Sequence, residues 1–272
     1  MDSLRSVQQW PVGAVAVAVV DRTGQVVGSH GPQDQPFRLA SVTKPLSAYA
    51  VLLAVAEGAV EWDHPAGPPG ATLRHLIAHA SGLDFDTDRV CAPPGTKRIY
   101  SNTGFAMLAD AVQAATGIPF GDYLAEAVFA PLGMTASRLA GSAGVGAVST
   151  CADLARFTAE LLAPTLLAPQ TLAEATRVAY PGLNGIVPGF GMQRPNDWGL
   201  GVELRGHKNP HWTGSRNSAE TFGHFGRSGT FLWVDPAAGA ACIALTDRDF
   251  DQWAKDVWPA FNDTVLAELA GS

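Results

Sequence analysis

The sequence predicts a mixed α+β fold, with an antiparallel sheet built from both chain ends, helices flanking it, and an inserted all-helical lobe. Strand-like segments occur near the two ends of the 272-residue chain, and helix-like segments fill its middle. We expect the two groups of strands to pair because each has an apolar face to bury. The predicted division is a sheet subdomain of residues 1–40 and 216–272 and a helical, loop-rich subdomain of residues 41–215, acting as one unit.

The first two strands are indicated by a β-branched apolar run at residues 12–20, a polar turn at 21–24 and a second run at 25–28. The first run is too short to cross a bilayer, which takes about 20 residues. Its flank, with Asp2 and Arg5, lacks the excess positive charge that precedes the apolar core of a signal peptide. We therefore expect a hairpin, no membrane span and a cytoplasmic location.

The remaining elements follow from apolar spacing and from the residues that end each run. One helix begins close to Ser41, because Pro45 is tolerated only in the first turn of a helix. Further helices are predicted at 72–79, 103–116, 120–130, 152–163 and 252–270, and strands near 200–202 and at 222–226, 230–234 and 240–246. The Gly-, Pro- and Asn-rich segment from 180 to 220 otherwise indicates loops.

Charge and cysteine content exclude several classes of function. Lys and Arg total 18 against 25 Asp and Glu, a net charge of -7, and clustered basic residues of a nucleic-acid surface are absent from the sequence. The three cysteines are far apart and form no Cys-x-x-Cys pair, which is typical of reduced thiols. We expect neither a nucleic-acid partner nor a metal or other cofactor.

Ser41 and Lys44 form the first candidate site. Residues three apart at a helix start lie on one face, so the Lys44 amine can reach the Ser41 hydroxyl. A buried lysine with a lowered pKa can take the proton of a serine and so create a nucleophile. Of the four lysines, only Lys44 has a serine three residues before it. The alternative that these residues alone leave open is a capping serine beside a solvated lysine.

Two further motifs add polar groups suited to the same chemistry. Tyr100 and Asn102 lie two apart at the end of a long loop, where a phenol could relay a proton and an amide could bind a carbonyl or the lysine. Their structural alternative is an ordinary helix cap beside a packed tyrosine. In the later strand, Gly226 follows His224 and lets a ligand approach the backbone, and the Arg227 N–H is a candidate oxyanion donor.

Taken in order, these motifs resemble the penicillin-recognising serine hydrolases, in the branch of class C β-lactamases, D-alanyl-D-alanine carboxypeptidases and family VIII esterases. That family uses Ser-x-x-Lys, Tyr-x-Asn and Lys-Thr-Gly or His-x-Gly. Other segments that look like family landmarks are 76–83, 94–96, 131–135, 148–157 and 198–201. The resemblance extends from about residue 12 to 265 and implies the β-lactamase/transpeptidase-like fold.

The resemblance also implies residue roles. Ser41 would be the nucleophile of an acyl-enzyme, with Lys44 and Tyr100 sharing the general base and acid work. Residues implied to contact the substrate, the lysine or the oxyanion are Asn102, His224, Gly226 and Arg227. The implied partner is a small-molecule ester, amide or β-lactam, and which of Lys44 and Tyr100 is the base stays open.

One departure from the family pattern bears on the substrate. Where relatives carry Lys-Thr-Gly, this chain has a mostly neutral His224 and an apolar Phe225, which weakens attraction for a substrate carboxylate. We therefore expect ester or amide hydrolysis with weak or no β-lactam turnover. The alternatives are a β-lactamase or D-Ala-D-Ala peptidase, or a non-catalytic penicillin-binding-like sensor.

Several other polar residues are expected to be structural or solvated. His75 and His79 lie four apart without the Glu of a zincin motif, so we expect packing roles. Two further groups are expected to lie in solvated loops: the alternating acidic residues Asp84, Asp86 and Asp88, and the histidines His207 and His211.

Overall fold

The computed structural model describes residues 1–271 and contains helices packed on both faces of an antiparallel sheet. The strands are β1 Val15–Asp21, β2 Val26–His30, β3 Phe37–Arg38, β4 Arg138–Leu139, β5 Ala147–Ser149, β6 Gly185–Val187, β7 Gly191–Gln193, β8 Glu203–Leu204, β9 Phe222–Gly226, β10 Thr230–Asp235 and β11 Ala240–Thr246. The α-helices are α1 Thr43–Ala56, α2 Leu73–Ile77, α3 Asn102–Thr116, α4 Phe120–Leu124, α5 Cys151–Leu162, α6 Pro169–Ala175 and α7 Gln252–Ala270.

The main sheet joins the two ends of the chain. Its strand order is β2-β1-β11-β10-β9-β8, and every pair is antiparallel. Strand β1 pairs with β11 along its whole length, from Val15 opposite Thr246 to Asp21 opposite Ala240. The predicted fold class is therefore confirmed.

Both faces of the sheet are covered, which explains why β1 and β11 are apolar at nearly every position. Successive side chains point to opposite faces of a strand. On β1, Ala16, Ala18 and Val20 join a core shared with α1 and α5, whereas Val17 and Val19 join a second core under α7. No helix within residues 1–271 is long and apolar enough to cross a bilayer.

The segment between the sheet halves contains short strands as well as helices. Strands β3, β5 and β4 form a small sheet, and β6 and β7 form a hairpin. The strand predicted near residues 200–202 lies at 203–204 instead, because Gly201 adopts φ 86° and packs against α1. A Cβ at Gly201 would lie 2.0 Å from the Ala48 Cβ, so this position serves close packing between a loop and a helix.

Candidate active site

Ser41 lies in a 3-10 turn, Ala40–Val42, directly before α1. Ala40 adopts φ 46°, a left-handed conformation that an alanine occupies only under constraint. The constraint comes from the sheet, because the Thr230 hydroxyl donates to the Leu39 carbonyl at 2.9 Å. A Cβ at Gly226 would lie 2.3 Å from that carbonyl oxygen. Gly226 was expected to make room for a ligand, and the structure shows that it makes room for the turn carrying Ser41.

Lys44 is fully buried in the first turn of α1, which excludes the alternative of a solvated lysine. Its Nζ donates to Asn102 Oδ1 at 2.6 Å and to the Gly144 carbonyl at 2.9 Å, and it lies 4.4 Å from the centre of the Tyr100 ring. Burial holds the pKa of Lys44 well below its usual range, and the charge of Asp86 acts in the opposite direction. A neutral amine has two N–H donors, so these two acceptors leave its lone pair free.

Tyr100 and His224 form a neutral pair beside Ser41. The His224 Nδ1 lies 2.6 Å from the Phe225 carbonyl oxygen, and its Nε2 lies 3.3 Å from the Tyr100 hydroxyl. A carbonyl oxygen only accepts, so Nδ1 carries the hydrogen and Nε2 accepts from Tyr100. Burial, followed by the charge of Lys44, lowers the pKa of His224 to about 3. Burial also raises the pKa of Tyr100, an effect that a hydrogen bond with Ser41 partly offsets.

Asp86 was expected to lie in a solvated loop, but its side chain contacts the site. Although the residue is exposed, its Oδ1 accepts a 2.7 Å hydrogen bond from Asn102 Nδ2. This contact leaves Asn102 Oδ1 facing Lys44. The hydroxyl of Ser101, between Tyr100 and Asn102, accepts from Gly104 N and caps α3. The segment from Tyr100 to Asn102 is thus both a helix cap and part of the polar site.

A cavity of about 250 Å³ opens beside Ser41. Its walls are mainly aromatic and apolar; the lining residues are Ser41, Phe85, Tyr100, Pro188, Gly189, Trp198, Glu203, His224, Phe225, Arg227 and Phe250. Arg227 is exposed, whereas Lys44 and Asn102 contact each other away from the lining. The structure therefore brings Ser41, Tyr100, His224 and Arg227 around one space.

Glu203 is a charged residue of this cavity that no sequence motif indicated. Its Oε1 lies 2.8 Å from Lys208 Nζ and 3.3 Å from His211 Nε2, and its Oε2 accepts from Trp212 Nε1 at 2.8 Å. Burial alone would raise the pKa of Glu203, but the charges of Lys208 and His211 lower it overall. His211, expected in a solvated loop, is buried because it belongs to this network.

His79 and Arg98 support the site from behind. His79 is buried, accepts from Ser101 N at 3.2 Å and packs 4.6 Å from the Tyr100 ring centre, which matches the expected packing role. Arg98 is also buried and donates to four backbone carbonyls, those of Ala78, Ala179, Tyr180 and Asn196. The sequence around Arg98 did not indicate this role, because the four carbonyls that it contacts belong to segments distant in the sequence.

Comparison with known proteins identifies the family. The family model described as beta-lactamase matches residues 7–263. The chain belongs to the beta-lactamase family. A beta-lactamase structure from Mycobacterium bovis is 56% identical, with a TM-score of 0.97, and the match covers 98% of this chain and 99% of that one. The resemblance to penicillin-recognising serine hydrolases is therefore confirmed.

Curated members of the beta-lactamase family differ in their named activities. Esterase EstB of Burkholderia gladioli is 26% identical over 93% of this chain and 90% of its own length. Penicillin-binding protein 4* of Bacillus subtilis is 27% identical, but the match covers 38% of this chain and 30% of that protein. The beta-lactamase family thus includes serine hydrolases of several kinds.

Proposed function

We propose that this protein hydrolyses carboxylic esters or amides through an acyl-enzyme formed on Ser41. The observation that carries the proposal is the buried Lys44 amine, whose two hydrogen-bond acceptors are Asn102 Oδ1 and the Gly144 carbonyl. Burial lowers the pKa of Lys44, and in its neutral form the amine has a lone pair available to a serine proton. EstB supports ester chemistry because the match covers nearly all of both chains.

The acylation step uses Lys44 as base and Tyr100 as acid. As Ser41 Oγ attacks the carbonyl carbon, its proton passes to the Lys44 amine, and the carbonyl electrons move onto the oxygen. The tetrahedral species collapses when Tyr100 donates its hydroxyl proton to the departing alcohol or amine. The raised pKa of Tyr100 supports the role of acid, because the phenol stays protonated until a strong base forms beside it.

Deacylation reverses these proton movements. A water attacks the acyl carbon and gives a proton to the Tyr100 oxygen, and the Lys44 ammonium returns a proton to Ser41 Oγ. One ester and one water thus become one acid and one alcohol, and each residue regains its starting state. Before acylation His224 positions the protonated Tyr100, because its Nε2 accepts the phenol hydrogen bond.

The oxyanion would be stabilised by the backbone N–H groups of Ser41 and Arg227. These groups belong to the 3-10 turn and to the end of β9, which pack tightly through Gly226 and Leu39. Donors that are held in place before the reaction need no reorganisation as charge develops. The close contact between the turn and the strand supports this assignment.

The electrostatics of the cavity favour neutral acyl groups. Glu203 contributes a carboxylate to the lining, His224 is neutral at pH 7, and the exposed Arg227 is the lining residue with a positive charge. Because Lys208 is paired with Glu203 at 2.8 Å, the interior of the cavity gives a substrate carboxylate no free cation to pair with. β-Lactam hydrolysis is the second candidate, which the 56% identical beta-lactamase structure favours.

Intact-mass spectrometry and turnover assays test the proposal together. The protein and its Ser41→Ala variant are incubated with a fluorophosphonate, with a penicillin, with short-chain esters and with a chromogenic cephalosporin. We expect fluorophosphonate labelling and ester turnover that both require Ser41, with little cephalosporin hydrolysis. Labelling that survives in the alanine variant would remove Ser41 from the mechanism, and rapid cephalosporin turnover with inert esters would favour the second candidate. Absence of any labelling would favour a non-catalytic binder.

A further inference from the structure

A second, larger groove adjoins the catalytic cavity. It has a volume of about 520 Å³, roughly twice that of the cavity beside Ser41, and Phe85, Tyr100 and Pro188 line both spaces. We call this space the outer groove; its apolar wall consists of Phe85, Ile186, Pro188 and Met192. A substrate group that extends from Ser41 past Tyr100 would enter it.

The hairpin of β6 and β7 presents an uncovered apolar face to the outer groove. Ile186 and Met192 are directly opposite each other in the β6–β7 register, so they lie on the same face. Ile186 is 58% exposed and Met192 50% exposed, whereas Val187, on the opposite face, is buried in the core under α7. Phe85, 45% exposed, is a further large apolar residue on the same groove.

This clustering distinguishes the outer groove from the rest of the surface. Within residues 1–271, three of the eight large apolar side chains that are exposed line this one groove. Scattered exposed apolar residues need no special explanation, but a contiguous patch beside a catalytic cavity is typical of ligand binding. Of its three charged lining residues, Asp84 is paired with Arg89 at 2.8 Å and the buried Arg98 donates to backbone carbonyls, which leaves the exposed Lys97 at the edge of an otherwise apolar groove.

The hairpin is fixed relative to the catalytic residues. Arg98 forms a bridge with Gly185, and the Arg98 N–H donates to the Asn184 carbonyl at 3.0 Å. A Cβ at Gly185 would lie 2.1 Å from the Arg98 carbonyl oxygen, so only glycine allows this approach. Tyr100 follows Arg98 by two residues. The apolar wall is therefore preformed beside the proposed acid, and binding there needs no rearrangement of the loop.

We propose that the outer groove binds an extended apolar chain of the ester substrate. This inference rests on the proposed function and adds a substrate class to it, namely esters with a long alkyl or aromatic group. Each methylene moved from water onto apolar surface is worth about 0.8 kcal/mol, or about fourfold in kcat/KM when burial is complete. The groove is open on one side, so we expect a rise of about twofold per methylene.

Two ester series test the proposal. One varies the acyl group from acetyl to decanoyl on p-nitrophenol, and the other varies the alcohol from methanol to decanol on acetate. Ile186→Thr/Met192→Gln makes the hairpin side of the apolar wall polar without adding charge. Val26→Thr on β2 is the matched control at an exposed valine outside both spaces. We expect kcat/KM to rise with length in one series, to flatten in the double variant and to keep its slope in the control.

The outcomes separate this inference from the function it rests on. Because both substituted residues are exposed, the double variant should unfold at nearly the same temperature as the parent and hydrolyse acetate esters normally. Length-independent kcat/KM in both series, or a slope unchanged in the double variant, overturns the outer-groove proposal while ester hydrolysis stands. If no ester, acetates included, is hydrolysed in a Ser41-dependent way, the proposed function is overturned and the groove's role with it.

Discussion

Replacement of His224 by glutamine should make the protein less sensitive to acid. The side chain is buried, and its pKa is lowered from about 6.5 to about 3, mainly by burial. Because the folded pKa is the lower one, the unfolded chain binds the extra proton between these values. The stability contributed by neutral His224 is therefore complete above about pH 6.5 and is lost as the pH falls toward 3.

The size of the effect follows from the width of this window. Each pH unit inside it costs about 1.4 kcal/mol, so the full window corresponds to about 5 kcal/mol. A domain is stable by about 5–15 kcal/mol in total, so one buried ring accounts for a substantial share of acid unfolding. Between about pH 7.5 and 4.5, protonation of His224 should lower the free energy of unfolding by about 3 kcal/mol.

Urea unfolding followed by tryptophan fluorescence measures this contribution. Glutamine has an amide oxygen that can accept the Tyr100 hydrogen bond but does not titrate. We expect the free energy of unfolding of His224→Gln to fall by about 2–3 kcal/mol less than that of the parent over the same pH range. The buried His211 titrates in both proteins, so its contribution cancels in the difference. The charge of His224 helps to lower the pKa of His79, so its removal makes His79 less sensitive to acid as well and acts in the same direction. Parallel pH dependences would refute the reasoning.

Three further substitutions have defined expected outcomes. Lys208→Met leaves Glu203 buried without its nearest cation and should lower the free energy of unfolding by about 3–5 kcal/mol in urea; a loss below about 1 kcal/mol would contradict the buried ion pair. Asp86→Asn removes the charge that raises the pKa of Lys44 and should move the acidic limb of the kcat/KM profile to lower pH, whereas an unshifted limb would exclude Lys44 as the base. Tyr100→Phe should lower kcat for esters about 10²–10⁴-fold, and least for the most acidic leaving alcohol; equal losses for all alcohols would exclude Tyr100 as the acid.

Local signals predicted much of the fold. Strands β9 and β11 and helix α7 occur at the predicted residues, because glycines and an Asp-Pro turn mark their ends in the sequence. Helix α3 ends at Gly117, as expected, since that residue adopts φ 73°. The two- and three-residue strands β3, β4 and β5 were not predicted, because elements so short depend on their partners more than on their own composition.

The candidate site was predictable only where its residues fall into motifs. Ser41 and Lys44 are three residues apart at a helix start, and that spacing alone indicates that their side chains are neighbours. Asp86 and Glu203 carry no such signal, because Asp86 contacts the site through Asn102 and Glu203 through its position at the edge strand β8. Composition alone predicts that the acidic loop is solvated. The contact with Asn102 makes one of its three aspartates, Asp86, part of the site.

The packing of β9 against the turn at Leu39 has a consequence for how the protein matures. The turn is synthesised long before β9 and β10, which hold it through Gly226 and Thr230. A nascent chain can therefore carry Ser41, Lys44 and Tyr100 long before the wall opposite the nucleophile exists. On the proposed mechanism, the growing polypeptide stays unreactive until β9 and β10 join the sheet, so hydrolysis begins only after these strands have folded.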